Sequence, residues 1–417
     1  MEDYSTDENE VLLADMPVSP SGQYFNSSVL SISILAVLES EVPLDNVPTM
    51  TLLQDVFLPI NPRFSSIMVY IQYSLSLSLS LSLSLSHATY VENILILLLS
   101  KTHANASSRR DGKSAKGIFR YMGRVFSGVA NTISDIGLAL GKTSFLRDGR
   151  TPIRSGKDGV EFLPSTITSL TFPLDQIKQI KAKLGVTIND VVTGVIFLGT
   201  RLYMQSTSSS HEDCNQQQGN ADATALVVLN TRAIGGYKTI EEMVKPNSKM
   251  PWGNHFTFLH VSIPKFGHNN GAFIDESNSS PIRFVRKAHM IIKRKRNSVA
   301  VYLTSRILEI LRKIRGHEAV AQYIYNTLKN SSVGMSNLIG PVEQVALANH
   351  PIKGLYFTLV GGPEGLFITM MSYVGKLRVT VRMEKGFMDS KKFSSSIKNA
   401  FDMIFQAAVQ EAPSSNS

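Results

Sequence analysis

The chain has 417 residues, of which 43% are hydrophobic, a length that allows a large core and two domains or half-domains. A single cysteine, Cys214, excludes an internal disulfide framework and favours a reducing compartment. The formal net charge is +9, and between Arg283 and Gly316 eleven Lys and Arg residues face one acid, Glu309. The N-terminus is acidic and does not read as a secretory signal.

The first part of the chain gives few regular patterns. Residues 28–40 are typical of a strand or of a buried helix, and periodicity alone does not separate the two. Residues 64–91 contain no Asp, Glu, Lys or Arg, which satisfies the length of a membrane span. Half of their central tract is serine, however, so we expect insertion to be weakly favourable at best. Residues 106–117 have a linker composition, and apolar spacing predicts a helix over 119–140.

A low-complexity tract lies within the uncharged segment, where leucine and serine alternate strictly from Ser74 to Ser86. Read as protein, this period of two is typical of a strand with one apolar face, and its exposed edge would favour aggregation. Read as nucleic acid, a repeated CT dinucleotide encodes Leu-Ser without end. We favour the second interpretation and hypothesise that residues 70–107 are translated intron or mis-joined sequence.

From Thr166 onward the patterns become regular. Pro173 and Gly185 mark the start and the stop of a helix. Further helices are predicted over 188–204, along the basic segment and over 389–409, and strands over 167–172, 225–230, 255–263, 354–360, 366–374 and 377–383. A helical run is expected to end in residues 330–335, before a break at Gly340-Pro341. Strands that alternate with helices and then form a meander indicate an α/β layered architecture.

Two of these elements carry a predicted orientation. The last strand is expected to bury one face and to leave the other wet, the wet face being Lys376, Arg378, Thr380 and Arg382. In the basic segment, one apolar stripe is predicted for a helix, formed by Leu303, Ile307, Leu311 and Ile314.

Several motifs occur in one order along the chain: Val18–Phe25, Asp55–Phe64, Arg150–Ser155, Leu184–Asp190, Pro251–Asn254 and Ser336-Asn-Leu-Ile-Gly-Pro341. In these, the chain resembles the plant wax ester synthase/diacylglycerol acyltransferase family, over roughly four-fifths of its length. Members of the family join an acyl-CoA to a fatty alcohol or a diacylglycerol. The resemblance implies the α/β, two-half fold of CoA-dependent acyltransferases, with a substrate tunnel between the halves and the first half truncated here.

The resemblance also implies a domain organisation. Residues 1–69 would begin the N-terminal half, 70–117 would be the Leu/Ser insert and linker, 118–172 would complete that half and the crossover, and 173–417 would be the C-terminal domain. The implied function is O-acyl transfer from acyl-CoA to a long-chain alcohol or diacylglycerol, which makes wax esters or triacylglycerol.

The family's catalytic signature, HHxxxDG, is absent. Its second histidine acts as general base on the acceptor hydroxyl, a task that suits an imidazole. None of the nine histidines is adjacent to another, and none has an aspartate four residues later. We therefore predict no catalytic residue, no surviving histidine beside a carboxylate in the cleft, and little or no activity, since losing a general base costs ~10²–10⁴-fold. The alternative is a catalytically dead member that binds acyl-CoA or lipid without turnover.

Five residues match family motifs that line the substrate channel: Asn189, Asp190, Asn337, Gly340 and Pro341. Local interpretations compete with this one. Thr187 and Asp190 have the spacing of a capping box, which we expect to be the main role of Asp190. Gly340 and Pro341 also suit a turn between a helix and a strand.

The basic segment suggests contact with anionic lipid headgroups through Arg286, Lys287, Lys293, Arg294, Lys295 and Arg296. A solvated helix face explains the same charges, and no nucleic-acid-binding signature accompanies them. His255 and His260 would lie on opposite faces of one strand, so we predict no metal and no cofactor beyond acyl-CoA as co-substrate. The expected location is the cytosolic face of the endoplasmic reticulum membrane, or the plasma membrane.

Overall fold

The computed structural model describes residues 20–60, 115–208, 219–230, 256–266 and 280–410, apart from 297 and 299. The predicted insert at 70–107, the uncharged segment at 64–91 and the Pro251–Asn254 motif lie outside these residues.

The described part of the chain mixes helices and strands, which confirms the predicted α/β fold class. Its α-helices are α1 (Pro20–Phe25), α2 (Asn46–Leu52), α3 (Ala115–Ser144), α4 (Leu174–Leu184), α5 (Ile188–Ser208), α6 (Ile282–Arg296), α7 (Ala300–Lys329) and α8 (Ser390–Gln410). Its strands are β1 (Ser33–Ser40), β2 (Ser165–Pro173), β3 (Thr224–Asn230), β4 (Phe256–Ser262), β5 (Val333–Ile339), β6 (Ala346–Leu347), β7 (His350–Val360), β8 (Leu366–Tyr373) and β9 (Lys376–Glu384).

The strands form two sheets. The larger has six strands in the order β2-β9-β8-β5-β3-β4, and β5 at its centre is parallel to both β8 and β3. The remaining pairs of this sheet are antiparallel. The smaller sheet is antiparallel, in the order β1-β7-β6. Its strand β7 packs on β8 and β9, so the two sheets are layered against each other.

Most predicted elements are confirmed within a few residues of their bounds. Residues 28–40, which the sequence left open, contain strand β1, and the helix predicted over 119–140 lies within α3. Helix α4 ends at Gly185, whose φ of 64° is left-handed and favours glycine. The start of α3 at Ala115 makes the last residues of the predicted linker helical.

The segment before Gly340 is a correction. The sequence suggested that a helical run ends within residues 330–335, but α7 ends at Lys329 and β5 begins at Val333. Val333 and Met335 are fully buried between β3 and β8, and this burial favours a strand. Gly340 therefore follows a strand and does not join a helix to a strand.

Strand β9 and helix α7 need a second correction. Thr380 and Arg382, expected on a wet face, are buried, because the smaller sheet covers that side of β9. Arg382 forms a buried ion pair with Glu364, which offsets part of the cost of burying its charge. On α7 the predicted stripe is only partly covered: Leu311 packs against the core, whereas Ile314 is half exposed just before a kink at Gly316.

Helix α5 positions the candidate site because it is buried along most of its length. Two glycines allow this close packing. A Cβ on Gly194 would lie 2.7 Å from the Cα of Val285 in α6, and one on Gly199 would lie 2.8 Å from the Cα of Ile397 in α8. These approaches fix α6 and α8 against α5, and steric fit of this kind holds helices in one register.

Among the described helices, none is long and apolar enough by itself to cross a membrane. Helices α4 and α5 satisfy the length and composition together, but they are bent by 101°.

Candidate functional site at the start of helix α5

The first turn of α5 is closed by a capping box. The Thr187 backbone N–H donates to Asp190 Oδ2 at 2.9 Å, and the Asp190 N–H donates to Thr187 Oγ1 at 3.2 Å. The Thr187 hydroxyl also donates to Asp190 Oδ2, at 2.8 Å. This reciprocal arrangement satisfies amides that the first turn of a helix otherwise leaves unpaired. The capping role predicted for Asp190 is confirmed.

Asp190 has a further partner that the sequence did not reveal. His289 Nδ1 lies 2.8 Å from Asp190 Oδ2, and the side chains are 27% and 5% exposed respectively. The contact follows from the packing of the two helices. Gly194 on α5 meets Val285 on α6. Asp190 lies one turn before Gly194 and His289 one turn after Val285, so these two residues meet as well. The two helices are therefore antiparallel at this point.

One surviving histidine, His289, therefore does lie beside a carboxylate. Asp190 and His289 are 99 residues apart on different helices, so no local spacing connects them. The sequence shows only that His289 lies one turn after the apolar Val285 on an amphipathic helix. This spacing indicates a partner for His289 only when the neighbouring helix is known.

The geometry gives the two ring nitrogens of His289 different roles. A carboxylate accepts a hydrogen bond, so Nδ1 carries a hydrogen, and in the neutral ring Nε2 then presents its lone pair. Within the described part of the chain, Nε2 has no hydrogen-bond partner. The arrangement can accept a proton from a hydroxyl that approaches Nε2.

Two predicted channel residues meet beside this pair. Asn337 Nδ2, at the exposed end of β5, donates to Asn189 Oδ1 at 2.9 Å, so the Asn189–Asn337 contact joins β5 to the first turn of α5. Gly340 is buried, and a Cβ there would clash with the carbonyl oxygen of Ser372. This close approach supports the structural interpretation of Gly340. Pro341, next to it, is exposed.

Apolar side chains surround this glycine and proline and face outward. Ile339 and Val342 are 87% and 86% exposed, and Leu338 is half exposed. These three residues are called the apolar segment below. A run of exposed aliphatic side chains next to a polar pair suits a ligand with a polar head and a hydrocarbon chain.

The predicted membrane-facing cations divide into two groups. Arg286, Lys293, Arg294 and Arg296 are exposed, and Lys287 is partly covered, with burial lowering the pKa of its amine. Lys295 is a correction: its side chain is 9% exposed and its Nζ lies 2.6 Å from Asp135 Oδ1 on α3. It faces inward because it lies one turn beyond the buried Ile292 on the covered side of α6.

A different histidine, His260, lies near the Lys295–Asp135 ion pair. Its ring is buried on β4, and Nε2 has no hydrogen-bond partner in the described residues. Burial, with a smaller contribution from Lys295, lowers the pKa of His260 to about 4, so the ring is neutral at pH 7. The same residues line a cavity of about 20 Å³ together with Asp135. Among the described residues, no group of three or more His, Cys, Asp and Glu side chains is arranged to hold a metal ion.

Sequence comparison identifies the class of protein. Residues 252–405 match the family model described as the WS/DGAT C-terminal domain, where the letters abbreviate wax ester synthase/diacylglycerol acyltransferase. In Arabidopsis thaliana, wax ester synthase/diacylglycerol acyltransferase 8 is 26% identical over 265 residues, which cover 61% of this chain and 52% of the relative. Wax ester synthase/diacylglycerol acyltransferase 4 of the same plant is 29% identical over 255 residues, which cover 60% of this chain and 47% of the relative.

The chain is therefore a relative of the wax ester synthase/diacylglycerol acyltransferases, which confirms the family predicted from its motifs. It spans about half the length of the curated relatives it matches. Among solved structures, the wax ester synthase/diacylglycerol acyltransferase from Marinobacter aquaeolei VT8 aligns with 13% identity and a TM-score of 0.38, over 67% of this chain and 57% of the other. The epimerization domain from the third module of tyrocidine synthetase B aligns with 10% identity and a TM-score of 0.39, over 67% and 56%.

Proposed function

We propose that this chain is an O-acyltransferase of the wax ester synthase/diacylglycerol acyltransferase type. It would take a fatty acyl group from acyl-CoA and transfer it to a long-chain alcohol or a diacylglycerol. The observation that carries the proposal is the convergence of Asn189, Asp190 and Asn337 beside the apolar segment, in a chain that matches the C-terminal domain of this family. Turnover is expected to be slow, because the sequence lacks HHxxxDG.

The local chemistry fits the proposed substrates. A fatty alcohol or a diacylglycerol has one reactive hydroxyl and a long hydrocarbon part, so its site must combine hydrogen-bonding groups with apolar contact. The Asn189–Asn337 pair supplies polar groups, and the apolar segment supplies exposed aliphatic surface.

Binding without turnover is the second candidate, and a specific observation favours it: no HHxxxDG sequence is present anywhere in the 417 residues. A protein of this kind would hold acyl-CoA or lipid through the same groups and release it unchanged.

The experiment measures binding and turnover separately on the purified full chain. Radiolabelled palmitoyl-CoA is supplied with hexadecanol or dioleoylglycerol, and its equilibrium binding is measured without acceptor. Saturable binding with slow, enzyme-dependent ester formation supports the transferase. Binding without product supports the second candidate, and the absence of both overturns the proposed function.

Matched variants locate the binding surface. Ile339→Asp and Val342→Asp place a charge in the apolar segment and should weaken palmitoyl-CoA binding roughly tenfold or more, since burying a charge against hydrocarbon is costly. Val409→Asp, on an exposed apolar residue of α8, is the control and should bind as the wild type does. Equal effects of all three variants would argue against the apolar segment as the contact surface.

We propose in addition that the exposed cations of α6 contact an anionic membrane surface, at the cytosolic face of the endoplasmic reticulum or at the plasma membrane. Each basic residue near such a surface contributes about 1 kcal/mol. Sedimentation with phosphatidylserine vesicles should fall for Lys293→Glu and Arg296→Glu, and it should not fall for Lys181→Glu on the exposed face of α4. Cell fractionation tests the location, and a chain that remains in the soluble fraction would contradict it.

A further inference from the structure

We propose that His289, oriented by Asp190, is the general base of this chain and removes the proton from the acceptor hydroxyl. The inference rests on the proposed transferase function and assigns its proton transfer to a residue outside the missing HHxxxDG. Three observations carry it: the contact of His289 with a carboxylate, the partial exposure of its ring, and the position of both next to the Asn189–Asn337 contact.

Asp190 is held firmly enough to orient the ring. Its Oδ2 accepts hydrogen bonds from the Thr187 amide and hydroxyl in addition to His289, and its side chain is almost fully buried. Any rotation of the carboxylate would break the cap of α5 as well as the contact with the imidazole. A fixed acceptor at Nδ1 keeps the hydrogen there and stabilises the imidazolium that forms when Nε2 takes a second proton.

The backbone positions His289 equally firmly. Gly194 lets α6 approach α5 so closely that Val285, one turn before His289, contacts the α5 backbone. The helix crossing therefore sets the position of the ring relative to the carboxylate. Because the ring is 27% exposed, a hydroxyl can reach Nε2 from the surface.

The proposed step is balanced. The Nε2 lone pair takes the O–H proton of the alcohol, and the alcohol oxygen forms a bond to the thioester carbonyl carbon. The carbon–sulfur bond then breaks, and the departing CoA sulfur takes the proton back from Nε2. An acyl thioester and an alcohol thus become an ester and a thiol, and the imidazole returns to its starting state.

Two other described histidines lack this arrangement. His260 is buried, and its pKa of about 4 makes it a weak base at neutral pH. His350 uses both ring nitrogens on the backbone, with Nδ1 3.2 Å from the Leu347 carbonyl oxygen and Nε2 3.4 Å from the Asp45 amide nitrogen. His289 combines a carboxylate partner with an accessible nitrogen.

The test replaces His289 and measures turnover and binding on the purified full chain. His289→Gln leaves the capping box untouched and should lower ester formation from palmitoyl-CoA and hexadecanol by about 100-fold or more, with palmitoyl-CoA binding unchanged. His350→Gln is the control and should retain wild-type turnover. His289→Ala should lose activity and regain part of it when imidazole is added to the solution, which a purely structural histidine would not do.

A second comparison separates orientation from capping. Asp190→Asn weakens the start of α5, and Asp389→Ala removes the carboxylate that accepts from the Lys391 and Lys392 amides at the start of α8, so both should lower the melting temperature. Only Asp190→Asn changes the partner of His289, and it should lower kcat at an unchanged KM for hexadecanol, whereas Asp389→Ala should retain kcat.

The outcomes distinguish this assignment from the function on which it rests. Wild-type chain that binds palmitoyl-CoA but forms no ester overturns the assignment and leaves the binding function standing. Ester formation that persists in His289→Gln overturns it as well. Wild-type chain that binds no palmitoyl-CoA overturns the proposed function together with the assignment.

Discussion

Helix α6 contributes to the surroundings of two histidines, and these surroundings differ in charge and in exposure. His289, on α6 itself, faces a carboxylate and is partly open to solvent. His260, on β4, is sealed beside the buried cation of Lys295 and leaves a nitrogen without a partner in the described residues. The comparison shows that the partner and the burial decide what an imidazole can do: a carboxylate at Nδ1 orients the ring of His289, whereas burial next to a cation disfavours the protonated form of His260.

The largest expected effect concerns the Lys295–Asp135 ion pair, which lies beside His260. Asp135→Asn removes the partner of the buried Lys295 cation and should lower the free energy of unfolding by about 3–5 kcal/mol. Arg294 contacts the same carboxylate from a half-exposed position, so Arg294→Met should cost about 1 kcal/mol or less. Denaturant unfolding measures both. Similar losses for the two variants would mean that burial does not distinguish the two cations.

The next effect is the pH dependence that follows from His260. Its pKa is about 4 in the folded chain and 6.5 ordinarily, so between these values the unfolded chain binds a proton that the folded chain does not. The free energy of unfolding should therefore fall by up to about 3 kcal/mol as the pH drops from 6.5 to 4. Above pH 6.5 the ring is neutral in both states, so His260 causes no further loss there. His260→Leu should remove this part of the pH dependence. An unchanged profile in that variant would show that His260 titrates normally.

A third effect concerns the crossing of α5 and α6, because this crossing positions His289. Gly194→Ala places a Cβ against the Val285 backbone and should cost about 1–3 kcal/mol. Gly199→Ala meets α8 with a similar clash, so it should destabilise the chain comparably without displacing α6. Turnover per folded molecule should fall only in Gly194→Ala.

Gly137→Ala supplies a steric reference for both glycine variants. No atom lies within 4 Å of the Cβ that it would add on α3, so it should stabilise the helix by about 0.5–1 kcal/mol. Thermal unfolding of the three alanine variants gives the comparison, and equal stabilities would contradict the close helix contacts.

A modest effect is expected from the cap of α5. Thr187→Ala removes one half of the capping box and should cost about 1 kcal/mol of unfolding free energy. The Asp190–His289 contact remains available in this variant. A loss of several kcal/mol would mean that Thr187 contributes more to stability than a helix cap does.

Several features could be predicted because they depend on residues close together in the chain. The capping box needs only Thr187 and Asp190, three positions apart, and the stop of α4 needs only Gly185. The strands β8 and β9 follow from apolar runs bounded by turns. The sequence comparison likewise confirms a family that was recognised from short motifs in a fixed order.

Other features depend on what lies across the fold. On the outer face of β9, Thr380 and Arg382 look exposed from the sequence but are buried, because the smaller sheet covers them. Lys295 stands in a run of four basic residues and differs from its neighbours only because α3 brings Asp135 against it.

By itself, then, the sequence determined the order of most helices and strands, the cap of α5, the family and the absence of HHxxxDG. Only the tertiary structure decided that His289 meets Asp190 and that Lys295 is buried. The physical reason is distance along the chain: helix periods and caps are set within a few residues, whereas a contact between residues 99 positions apart requires the packing of two helices through one glycine.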